Sequence, residues 1–124
     1  MIDSVLLYLG AALPIFWGVS HLFPTRSVVN GFGEISLDNR RVITMEWIVE
    51  GVALIFTGLL VATITFIDAD GAVSKAVYVV SSIGLLSLAV VSLFTGFKIN
   101  FLPYKMCPLI FTASAMFILV GAFL

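Results

Sequence analysis

The chain has 124 residues, 61% of them hydrophobic and 10% charged, with a mean hydropathy of +1.21. Six basic and seven acidic side chains are too few to cover a water-facing surface, and a single cysteine builds no disulfide scaffold. A net charge of −1 leaves no basic footprint for nucleic acid, so the class that remains is an integral membrane protein.

Taken in chain order, four segments are long and apolar enough to cross a hydrocarbon layer about 30 Å thick. Val5 to Phe23 carries no formal charge and stops at Pro24. The residues before it, Met1 to Ser4, lack the positive region of a signal peptide, so this segment is expected to be a retained helix. Pro14 is expected to bend it by removing a backbone donor. The connection from Pro24 to Arg40 is the only one with room for more than a turn, and an amphipathic surface stretch fits there. The second span, near 42–67, is interrupted by Glu46 and Glu50, and Asp38 or Asn39 is expected to cap its start. After Asp68-Ala69-Asp70-Gly71 comes the third span, near 74–97, and after Lys98-Ile99-Asn100 the fourth, near 103–124. The runs are continuously apolar and do not alternate, which excludes a β-barrel. The predicted fold class is therefore all-α integral membrane, an antiparallel four-helix transmembrane bundle forming one domain over 1–124.

The basic residues orient it. Arg26, Arg40, Arg41, Lys98 and Lys105 fall in or beside the first and third loops, and Lys75 alone falls on the other side. This places those two loops in the cytoplasm and both termini outside the cell membrane.

Ionisable residues within spans mark candidate sites, because lipid does not solvate them. Glu46 and Glu50 share a helix face, about 7 Å and about 13 Å beyond Arg41 at the helical rise. Glu46 can reach back toward water. Glu50, on this count, must face the bundle interior and find donors or else hold its proton, sharing it with Glu46 as a site or clamping a neighbouring helix. His21, the only histidine, ends the first span with Trp17 on the same face, at the depth of Glu46. Trp47, Tyr104, Lys105 and Cys107 belong to the same cytoplasmic half, while the outer half has no ionisable residue between the outer loops and this layer. This polarisation suggests a pocket open to the cytoplasm or inner leaflet, with aromatic belts and basic anchors as the plainer explanation for part of it. The candidate ligand-binding or proton-carrying residues are thus Glu50, Glu46, His21, Trp17, Trp47 and Tyr104. No metal site is expected, since His21 and Cys107 come from distant spans without a ligand motif. Cys107, one turn into an apolar helix, is expected to be inert and without a partner.

The stretch Gly18-Val19-Ser20-His21-Leu22-Phe23-Pro24, followed by Glu46-Trp47-Ile48-Val49-Glu50-Gly51 and then Leu54 to Gly58, resembles the small four-helix DoxX-like membrane proteins. The similarity covers the first half of the chain and carries His21, Glu50 and Gly51 by position. It implies a four-helix membrane architecture, and for some members a role as small subunits in quinone-linked sulfur oxidation.

The function expected is that of a small binding or accessory membrane protein, with a cytoplasmic-side pocket for a lipid-like, quinone-like or other small apolar ligand. A proton-coupled transporter using Glu50, in a homodimer or larger membrane complex, and a subunit of a quinone-linked oxidoreductase are the alternatives. The chain lacks a dithiol, several histidines or a nucleotide fingerprint, so it is not expected to be an enzyme on its own; no cofactor is specified.

Overall fold

The computed structural model describes residues 1–124. It is all helical: α1 (Ile2–Leu22), a short α2 (Thr25–Asn30), α3 (Leu37–Asp68), α4 (Ala72–Phe94) and α5 (Leu102–Phe123), with one turn of 3-10 helix at Gly96–Lys98. Four helical stretches are long and apolar enough to cross a membrane. The segment after Pro24, expected as a loop with room for a surface stretch, contains the two-turn α2.

Each long helix buries a stripe at helical spacing, Leu7, Gly10, Ala11, Pro14 and Gly18 on α1 and Gly51, Leu54, Gly58, Val61 and Thr65 on α3. α1 lies between α3 and α5, α5 packs on α4, and α3 and α4 touch more lightly. Only 23 of 124 residues are buried, and the outward positions are themselves apolar, Phe66 at 84% exposure among them. That is the reverse of a water-facing surface.

Two features set the α1 positions. Gly18 meets Gly51 so closely that a Cβ on Gly18 would stand 2.6 Å from the Gly51 carbonyl oxygen. Small residues at such crossings let helix backbones approach. The second feature is Pro14, through which α1 runs unbroken. Proline has no N–H, so the Gly10 carbonyl, four residues earlier, loses its helical donor. Ser114 of α5 replaces it, its buried hydroxyl donating to the Gly10 oxygen at 2.6 Å. On the far side, the hydroxyls of Thr65 and Tyr78 meet at 2.9 Å and tie α3 to α4.

Ser36, not Asp38 or Asn39, caps α3: its Oγ accepts from the Asn39 N–H at 3.2 Å. The helix therefore begins before Asp38, which leaves Asp38 and Asn39 inside the first turn, where they cannot be caps. Arg40 then reaches back from α3, donating to Asn30 Oδ1 at 2.9 Å and to the Gly33 carbonyl at 3.5 Å. Gly33 has φ 73°, a left-handed turn that glycine adopts without a steric penalty. With Val29 buried, these contacts hold α2 and the 31–36 turn against α3.

Residue numbers rise along α1 as they fall along α3, Gly18 facing Gly51 and Ala11 facing Gly58. The C-terminal end of α1 therefore lies beside Trp47, and Leu37 to Met45 project past it. This register changes where the glutamates sit. Glu46 is level with the end of α1, and Glu50 is only about one turn below it, about 6 Å at the helical rise.

Candidate functional site

The site lies where α1 ends. His21 is in the last turn of α1, where backbone carbonyls have no helical donor. Trp47 supplies one, its Nε1–H donating to the His21 carbonyl at 2.7 Å. The His21 ring returns the contact, Nε2 lying 3.0 Å from the Trp47 carbonyl oxygen. The two rings stack, centroids 3.8 Å apart and planes 15° from parallel. One further carbonyl at this end, that of Leu22, accepts from the Thr25 hydroxyl at 2.6 Å. The edge of Tyr104 meets Trp47 at 6.2 Å, bringing the start of α5 to the same place.

Against this layer opens a cleft of about 670 Å³. Its floor and walls are Trp17, His21, Trp47, Tyr104, Met106 and Cys107, and α2 with the following turn adds Ser27, Val28, Gly31 and Phe32. Ile99 and Phe101, from the connection before α5, and Pro103, in the first turn of α5, close the remaining side. At the bottom, Trp17 Nε1–H donates to Cys107 Sγ at 3.4 Å. A second cleft, about 480 Å³, shares Val28, Phe32, Trp47, Ile99 and Tyr104 with the first and is lined as well by Glu46 and Glu50.

The structure thus brings four of the six candidates, Trp17, His21, Trp47 and Tyr104, around one cleft, and sets Glu46 and Glu50 on its neighbour. Glu50 does not turn into the interior as its counted depth required. Its side chain is 48% exposed, with Oε2 3.5 Å from His21 Nε2. The buried stripe of α3 passes through Gly51 and Leu54, and a residue one position before Gly51 is turned about 100° away from it. Lys105 does not join the layer either: its Nζ donates to the Phe97 carbonyl at 2.9 Å and sits 4.9 Å from the Phe97 ring centroid. Cys107 has the partner it was expected to lack. No group of three or more His, Cys, Asp or Glu side chains converges as a metal site would require.

The contribution of α2 escaped the sequence reading. Val28, Val29 and Phe32 stand among polar residues directly after Pro24, at spacings that put Val28 and Phe32 on one helix face. That short pattern was the available signal. No family model, curated protein or solved structure matches this chain.

Proposed function

We propose that this is a small integral membrane protein, an antiparallel four-helix transmembrane bundle that holds a small apolar ligand in the cleft at its basic end. The observation carrying this reading is the 670 Å³ cleft itself, walled by Trp17, Phe32, Trp47, Phe101 and Tyr104 with a few polar groups among them. Concave, largely apolar sites with sparse convergent polar groups are the usual form of a ligand pocket. Because the basic residues cluster around the first and third connections, the cleft opens toward the cytoplasm or inner leaflet, and both termini lie outside. A topology reporter fused after Leu124 should report from outside the cell membrane.

The DoxX-like resemblance belongs to the same proposal. The residues that carry it are neighbours in space, His21 beside Glu50, and Gly51 against Gly18 and Leu22. One observation keeps the proton-coupled alternative in view, namely the Glu50 carboxyl placed between open space and the His21 ring. Membrane carboxylates serve such relays when they face a path for substrate.

Native mass spectrometry of the full chain, released from mild detergent, tests the ligand-binding reading. A single small apolar molecule should remain bound, and Ser20→Trp, which fills the cleft, should abolish the adduct. An adduct that persists unchanged in Ser20→Trp would place the ligand elsewhere and sink the proposal.

A further inference from the structure

The ligand's head can be read from the hydrogen-bonding groups that the cleft leaves free. Both tryptophan donors are engaged, Trp17 by Cys107 Sγ and Trp47 by the His21 carbonyl. No Lys, Arg, Asp or Glu lines the cleft, so a charged head would lose its hydration without gaining a counter-ion. His21 is the one polar group there whose direction is set. Its Nε2 faces the Trp47 carbonyl oxygen, which can only accept, so Nε2 carries the hydrogen. In the neutral ring the other nitrogen, Nδ1, is then an acceptor. Nδ1 makes no hydrogen bond within the protein, yet no buried side-chain nitrogen or oxygen is left without a partner, so Nδ1 is open rather than sealed in. The remaining free groups, the hydroxyls of Ser20, Ser27 and Tyr104, can each donate or accept and impose no direction.

We infer that the cleft takes an uncharged amphiphile whose head bears a hydroxyl, and that this hydroxyl donates its hydrogen to His21 Nδ1. The inference rests on the ligand-binding reading above and deepens it by naming the head group. An ether or ester of the same size offers only acceptors to Nδ1, and a fully ionised phosphate or carboxylate head offers only acceptors and an unpaired charge.

The test uses the full chain in phosphatidylcholine nanodiscs with three probes of equal chain length: dodecanol, dodecyl methyl ether and dodecyl phosphate. Binding is read from the fluorescence of Trp17 and Trp47 against the mole fraction of probe in the bilayer. Dodecanol should half-saturate at a mole fraction about tenfold below that of the ether, the ratio expected for one hydrogen bond. In His21→Phe that ratio should fall to about one, as follows from removing the same bond. Equal binding of alcohol and ether, or tighter binding of the phosphate, would overturn the hydroxyl assignment while leaving the cleft a ligand site. A preference that survives in His21→Phe overturns the role of Nδ1. Failure of all three probes to bind overturns the ligand-binding reading itself. If His21→Phe does not fold, the alcohol-to-ether ratio of the unsubstituted chain still decides the hydroxyl head, and the 15N chemical shift of His21 Nδ1 decides its partner: dodecanol should move it and the ether should not, and a shift that dodecanol leaves unmoved overturns the role of Nδ1.

Discussion

His21 and Trp47 each hold the other's backbone: the indole N–H of Trp47 donates to the His21 carbonyl, and His21 Nε2 bonds the Trp47 carbonyl. The exchange closes the open end of α1 onto α3 and leaves Nδ1 of the imidazole, in a residue that lines the cleft, without a partner in the protein. Trp47→Phe keeps an aromatic ring to stack on His21 and removes the donor together with the second ring that carries it. It should lower stability by at least about 1 kcal/mol, the net worth of the hydrogen bond, with the lost ring contacts in addition. Unfolding in detergent measures it, and an unchanged midpoint would show that water replaces the indole there.

The proline in α1 makes a sharper prediction. Ser114→Ala strips the donor from the Gly10 carbonyl, which Pro14 already denies its helical partner. Leaving a buried acceptor unsatisfied should cost about 1–3 kcal/mol. In a Pro14→Ala background the backbone N–H returns, so the same Ser114→Ala change should cost clearly less. A double-mutant cycle on unfolding free energies reads the coupling, and strict additivity would mean the serine does not substitute for the missing N–H.

Cys107 accepts from Trp17 at the bottom of the cleft. Cys107→Ser keeps an acceptor there and should be nearly neutral, whereas Cys107→Ala should cost about 1 kcal/mol by orphaning the indole N–H. Since Cys107 lines the cleft, an occupant should also shield it. Labelling by N-ethylmaleimide, followed by intact mass, should slow when dodecanol is present; labelling at an unaltered rate would mean that the probe lies elsewhere.

Glu50 separates the two functional readings. Its carboxyl is nearly half exposed and its nearest polar neighbour across helices is His21 Nε2 at 3.5 Å, so this contact should contribute less than about 1 kcal/mol to stability. Glu50→Gln and Glu50→Ala should therefore both fold, and both should retain dodecanol, because Glu50 lines the second cleft and not the first. Loss of dodecanol binding in Glu50→Gln, with unfolding unchanged, would favour the proton-carrying reading over the one proposed here.

Composition and the lengths of the apolar runs were enough to establish an all-helical chain with four helices able to cross a membrane, because helix spans depend on local hydropathy and on where charges and prolines interrupt it. The same local pattern singled out Trp17, His21, Trp47 and Tyr104, since aromatic and ionisable residues stand out in so apolar a chain. Which residues share a cleft was not local information. The depth of Glu50 depends on where α1 ends beside α3, and that register follows from Gly18 meeting Gly51, a contact between residues 33 positions apart in the chain. Counting from Arg41 could not find it, because α3 projects past its neighbour. In the same way Ser36 displaced Asp38 as the cap, α2 folded over the site, and Ser114 found the carbonyl that Pro14 had freed. Each was decided by which backbone groups still lacked a partner once the helices had packed.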